Sequence, residues 1–194
     1  MAYKHRVETP GLYHVCTRGN NKREIFVDDR DRRMFLMYLN IISAQYGWTV
    51  HAYCLMRNHY HLVLEIGDKG MARGMCALNT HHAFSFNQRH GRINHLFGKR
   101  YWSDKLEDQD RFLTACRYVI QNPVRAGIVD SPDAYTWSSY RATIGLALSF
   151  VARTSDLQLA CFGAPGTPTA EAVARFRRFC EPRAALRHVR WQPP

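Results

Sequence analysis

The stretch Leu55-Met56-Arg57-Asn58-His59-Tyr60-His61-Leu62-Val63-Leu64-Glu65 reads as the end of one strand, a two-residue link and a second strand. Side chains alternate between the faces of a strand. His59 and His61 therefore share one face, while Tyr60, Leu62 and Leu64 share the other and point toward a core. Two imidazoles two residues apart on one rigid strand can hold a single divalent cation. The same pair also reads as two surface histidines on a half-exposed strand, and His-x-His alone does not separate the two.

Outward from this hairpin the chain keeps alternating between strand and helix. Residues 48–56 carry the period-2 pattern of the first hairpin strand. Arg57-Asn58 departs from the Asn-Gly that type I′ turns favour. Upstream, Asp28 or Asp29 caps a helix running to Tyr46, with Phe35, Leu39, Ile42 and Tyr46 at helical spacing and Gly47 as its stop. Before it, residues 12–17 form a first strand after the Pro10-Gly11 turn signal. The loop Arg18-Gly19-Asn20-Asn21-Lys22-Arg23 follows, equally suited to gripping phosphates or base edges and to being solvated.

Downstream, residues 71–88 read as a second helix, and adjacent His81 and His82 diverge in direction. Residues 96–102 mix aromatic and basic side chains and read as a fourth strand, fit either for nucleic-acid contact or for an edge. A third helix starts at Asp108 or Asp110 and runs to Gln121, with Phe112, Cys116, Val119 and Ile120 on its apolar face. Tyr118 and Asn122 stand off that face one turn apart, on a stripe with Arg111 and Ala115. Pro123 is expected to end the helix. Tyr118 as a half-buried aromatic and Asn122 as a C-terminal cap are the bland alternatives.

This order gives an α+β fold of the ferredoxin-like, split βαβ type: a four-stranded antiparallel sheet with one face under the first two helices. The third helix is then placed to bring Tyr118 toward the histidine strand. Residues 133–142 are rich in aromatics and hydroxyls and suit either packing over the core or contact with a ligand, with packing the expectation. We divide the chain into a domain over residues 1–148 and a basic extension over residues 149–194. In the extension Thr167-Pro168 opens a helix with Val173, Phe176 and Cys180 on its apolar stripe. Arg183, Arg187, His188 and Arg190 continue its charge into a tail.

With 194 residues, 46% of them hydrophobic, the chain can bury a sizeable core. Its net charge of +11 points to a polyanionic partner, most often nucleic acid. The six cysteines stand singly, with no Cys-x-x-Cys pair, which argues against a structural zinc site. Neither a signal peptide nor a membrane-spanning run is evident, and a cytoplasmic location is the consistent expectation.

Tyr13-His14-Val15 with Arg18-Gly19-Asn20-Asn21, then Asn58-His59-Tyr60-His61-Leu62, then the phrase from Tyr118 to Gly127, and finally Trp137-Ser138-Ser139-Tyr140, together resemble the REP-associated tyrosine transposases. These are single-tyrosine members of the HUH endonuclease group, although the central Tyr60 is less purely hydrophobic than the residue usual there. The resemblance covers roughly residues 10–145. It implies that Tyr118 is the nucleophile, that His59, His61 and Asn122 ligate Mg²⁺ or Mn²⁺, and that the product is a 5′-phosphotyrosyl enzyme. The substrate it implies is single-stranded DNA beside a palindromic REP hairpin. Arg18, Asn20, Asn21, Arg23 and Arg141 are the DNA-binding candidates. The resemblance leaves oligomeric state open, with a monomer favoured over a dimer that exchanges the tyrosine helix. The competing readings are a non-catalytic nucleic-acid-binding module with the same fold and a water-using phosphodiesterase in which Tyr118 is incidental.

Overall fold

The computed structural model describes residues 8–151, 161–162 and 170–181. Four strands, β1 (Gly11–Arg18), β2 (Thr49–Met56), β3 (His59–Ile66) and β4 (Trp102–Leu106), form one sheet in the order β2-β3-β1-β4. Every neighbouring pair is antiparallel. With helices α1 (Asp29–Tyr46) and α2 (Ala72–His90) between strands, this is the split βαβ arrangement expected from the sequence.

Local chemistry sets each helix. Asp28 caps α1 by accepting from the Asp31 backbone N–H at 3.0 Å, and the Asp31 carboxylate accepts from the Asp28 N–H in return. Gly47 closes the helix at φ 71°, where a side chain would be strained. Phe35, Leu39 and Ile42 bury their face of α1 against the sheet, where the Phe35 ring meets Tyr60 from the back of β3. On α2, His82 is buried and its Nε2–H donates to the Ile25 carbonyl at 2.8 Å, while His81 is exposed and stacks on Tyr38. The two histidines do diverge.

Helix α3 (Gln109–Arg125) lies on the opposite face of the sheet. Asp108 caps it through the Arg111 N–H at 2.7 Å. It does not stop at Pro123, as the sequence suggested, but continues to Arg125 and yields only before Gly127 at φ 68°. Proline's fixed φ is itself helical, and the burial of Val119, Ile120 and Pro123 outweighs the lost hydrogen bond and the crowding of the preceding turn. Asn122 therefore keeps helical geometry one turn beyond Tyr118.

The fourth strand also differs from expectation. Only Phe97 of the 96–101 segment bridges to the sheet, against Gly19, and the ladder with β1 begins at Trp102 opposite Cys16 and ends at Leu106 opposite Leu12. Ser103, Asp104 and Lys105 hide this strand from pattern reading. They suit an edge, where charge discourages further pairing.

The link Arg57-Asn58 is the expected two-residue turn, but neither residue has a positive φ, so it is not type I′. Outside partners hold it instead. The Arg57 carbonyl accepts from the Ile25 and Phe26 N–H groups, and the Asn58 carbonyl accepts from Gly19 N–H.

The segment 135–139 packs along β2. The Leu55 N–H donates to the Trp137 carbonyl and Ser139 N–H to the Tyr53 carbonyl, and the Tyr135 hydroxyl donates to the Leu55 carbonyl. A short helix α4 (Tyr140–Thr143) follows. Helix α5 (Ala170–Cys180) sits on the outer side of α3, where Phe176 and Cys180 join Ile120, Tyr140 and Ile144 in a second buried cluster. The Gln121 amide fastens it by donating to the Cys180 carbonyl at 2.9 Å. The Thr167-Pro168 start and the arginine tail beyond residue 181 lie outside the described residues. Among the described residues no helix is long and apolar enough to cross a membrane.

Candidate active site

The register of β1 and β3 decides what surrounds the histidine pair. Arg18 pairs with His59, Cys16 with His61 and His14 with Val63, so His14, Cys16 and Arg18 share the face of the two histidines. From β4, Trp102 and Asp104 join that face opposite Cys16 and His14. The result is a polar floor of three imidazoles bordered by a tryptophan and an arginine.

Over this floor α3 lays the stripe Tyr118, Asn122 and Arg125, spaced four and three residues apart. The Tyr118 ring is 5.5 Å from that of His61, nearly perpendicular to it, and 5.7 Å from that of His14. The Arg125 guanidinium lies 5.0 Å from the centre of the tyrosine ring. The Asn122 side chain is close enough to affect both His59 and Tyr118. All of these groups belong to one chain.

Burial sets the protonation of the floor. It pushes His14 down to about 4, and it pushes His59 down to about 4 with help from the Arg18 charge. His61, fully enclosed beside two other imidazoles, falls well below its ordinary value. All three are neutral near pH 7, so each ring keeps one bare nitrogen. Burial also raises the Tyr118 phenol, against the opposing pull of Asn122 and Arg125. The resting tyrosine is therefore protonated.

Hydrogen bonds sort the ring nitrogens. His59 Nδ1 is 2.7 Å from Asn58 Oδ1, and Asn58 Nδ2 donates to the Lys22 carbonyl at 3.0 Å. A carbonyl oxygen only accepts, so His59 carries its proton on Nδ1 and leaves Nε2 bare. His61 Nδ1 is engaged at 3.0 Å by His14 Nε2.

Among the described residues no group of three His, Cys, Asp or Glu side chains is arranged to hold a metal ion. The donor set here is two neutral imidazoles and an amide. The buried Asn122 Nδ2 makes no hydrogen bond, a costly state unless something polar completes it. A half-turn of the amide puts the oxygen in that place. This set fits a divalent cation with room for water or phosphate oxygens.

Two basic cavities flank the floor. One, of about 240 Å³, is lined by His14 and Tyr118 with Arg111, Arg117 and Arg125. The other, of about 410 Å³, brings Arg18, Lys22, Lys99 and Arg100 around Trp102. Asn20 and Asn21 line the second cavity, whereas Arg23 and Arg141 line neither. Arg141 instead donates to the Asp133 carbonyl at 2.8 Å and braces the turn before α4.

The sequence reading left His14, Trp102 and Arg125 without roles of their own. Arg125 was legible as the next step of the Tyr118–Asn122 stripe, had the helix been carried past Pro123. His14 and Trp102 depend on strand register, which periodicity does not supply.

Comparison with known proteins gives the family and the fold. The family model described as "Transposase IS200 like" matches residues 9–122. A Haemophilus influenzae protein named as a REP-associated tyrosine transposase is 22% identical over 138 residues, spanning 62% of this chain and 78% of its own. A solved REP-associated tyrosine transposase bound to a REP hairpin superposes with a TM-score of 0.63 at 15% identity, covering 80% of this chain and 93% of that one. A transposase structure from Deinococcus radiodurans covers 57% of this chain and 90% of its own, at 16% identity and a TM-score of 0.41. The matched span of the family model takes in the histidine strand, the tyrosine and the asparagine: the chain belongs to the IS200-like transposases, and its relatives include REP-associated tyrosine transposases.

Proposed function

We propose that this transposase cuts and rejoins single-stranded DNA beside REP-type palindromic hairpins, with Tyr118 as nucleophile and His59, His61 and Asn122 holding Mg²⁺ or Mn²⁺. The observation that carries the reading is the meeting of α3 and β3: Tyr118 packs against His61, and Asn122 adjoins both Tyr118 and His59. A nucleic-acid-binding module has no need of a tyrosine directed at neutral, metal-competent imidazoles. The hairpin substrate is supported by the REP hairpin in the solved relative and by this chain's charge of +11.

The chain's own groups divide the work. The phenol oxygen of Tyr118 attacks phosphorus and the bond to the 3′ oxygen breaks. This leaves a 5′-phosphotyrosine and a free 3′-OH, with the phenol proton passing to solvent or to the departing oxygen. When bound, the divalent cation polarises and orients the scissile phosphate. Arg125, beside the ring, stabilises charge on the phosphoryl oxygens. The basic cavity around Trp102 receives the backbone and stacks a base. The covalent bond keeps the phosphodiester energy, so rejoining to a 3′-OH needs no nucleotide cofactor.

The test is a gel assay with labelled single-stranded REP DNA and Mg²⁺ or Mn²⁺. We expect a covalent protein–DNA adduct that EDTA abolishes and that Tyr118→Phe lowers by at least about a thousandfold. Tight binding with no adduct would favour the binding module. Cleavage surviving Tyr118→Phe would favour a water-using nuclease.

A further inference from the structure

Each histidine of the β3 pair has a partner at Nδ1, but the two partners differ in kind. For His59 it is the Asn58 carbonyl oxygen, which fixes the tautomer outright. For His61 it is His14 Nε2 at 3.0 Å, and an imidazole nitrogen can either accept or donate. The direction of that hydrogen bond therefore decides which nitrogen of His61 is bare.

His14 is held firmly for such a task. It is 5% exposed and sits diagonally across the β1–β3 ladder from His61 on the same face. Its ring tilts 32° from His61 at 5.2 Å and meets Trp102 edge-on at 5.4 Å. Tyr118 closes over it at 5.7 Å. The plain alternative is a buried histidine pair that merely satisfies itself.

We propose that His14 is a positioning residue for this reaction: its Nε2 accepts the hydrogen of His61 Nδ1, leaving His61 Nε2 bare for the cation. His59 and His61 then present the same nitrogen by the same device, a hydrogen bond at Nδ1. Such a partner fixes the orientation of a ligating imidazole and raises its basicity, and its loss typically costs about 10- to 100-fold in metal affinity. The inference rests on the reading of His59, His61 and Asn122 as a cation site.

The experiment uses the full chain and Mn²⁺ alone, followed by calorimetry, with imidazole ¹⁵N shifts recorded on the metal-free protein. His14→Phe keeps a ring but removes both nitrogens, and His14→Gln returns an amide acceptor. Wild-type spectra should show His61 protonated on Nδ1. The Phe variant should bind Mn²⁺ about 10- to 100-fold more weakly with an unfolding temperature close to wild type, and the Gln variant should recover most of the loss. Wild-type His61 protonated on Nε2 overturns the proposal, whether or not the variants fold. So does a Phe variant that binds Mn²⁺ as tightly as wild type, and in that case the cation site itself stands. Absence of Mn²⁺ binding by the wild type, or binding that His59→Ala leaves unchanged, overturns the cation site and the role of His14 with it.

Discussion

Among the described residues five histidines with lowered basicity, His14, His51, His59, His61 and His82, tie chemistry to stability. His82 is the simplest to isolate because it lies away from the sheet floor. Burial pushes it down to about 4, and its Nδ1 is enclosed without a partner while Nε2 faces the Ile25 carbonyl. An unfolded histidine takes up its proton near 6.5. Between these values the unfolded chain binds more protons than the folded one, so stability falls as pH drops from 6.5 toward 4 and levels off below. For His82 alone the full loss is about 3 kcal/mol. The His82→Gln variant should shed that part of the slope in urea unfolding measured from pH 7 to 4. A constant gap between the variant and wild-type curves would show that His82 does not titrate this way. His14 and His59 are held at about 4 by the same burial, so the floor stays neutral over most of this range and cation binding should weaken only as the pH nears 4.

Helix packing shows where size matters most. Gly74 on α2 faces the ring of Trp48, and a Cβ there would stand 2.3 Å from its nearest carbon. Trp48 cannot easily yield: it is fully buried, and its indole N–H donates to the Gly70 carbonyl at 3.1 Å. Gly74→Ala should therefore destabilise by about 1–3 kcal/mol through overpacking, despite alanine's better helix propensity. Thermal unfolding would measure it, and an unchanged or raised midpoint would mean that α2 shifts freely on α1 and the sheet. Helix propensity and patterning found α1, α2 and most of α3. They misplaced β4, because an edge strand of Trp-Ser-Asp-Lys-Leu carries no alternation to read. Pairing with β1 supplies its hydrogen bonds, and that partner lies nearly ninety residues away in sequence.

In the assembled molecule the charge is not spread evenly over the site. Arg18 at the end of β1, Lys22 just after it, and Lys99 and Arg100 far along the chain before β4 meet around Trp102. If all four contact phosphates, the affinity for single-stranded REP DNA should fall with salt at a log–log slope of about −3. Changing Lys99 and Arg100 to alanine should reduce its magnitude by about 1.4. Filter binding from 50 to about 300 mM salt would measure both. An unchanged slope in the double variant would place the DNA elsewhere.

The chain alone determined β1 to β3, α1, α2 and most of α3, the sharing of one face by His59 and His61, and the single turn between Tyr118 and Asn122. Those are local consequences of strand and helix periodicity. The alternation of strands and helices also limited the topology to a few choices, the split βαβ sheet among them. Periodicity does not give the register between strands or the seat of a helix on a sheet, because both arise from packing between distant segments. Register placed His14 diagonally from His61 and Arg18 opposite His59. The seating of α3 laid Tyr118 over its own chain's histidines and carried Arg125 to its ring. The burial that keeps the imidazoles neutral and the phenol protonated followed from the same packing, since desolvation exists only once the faces have closed.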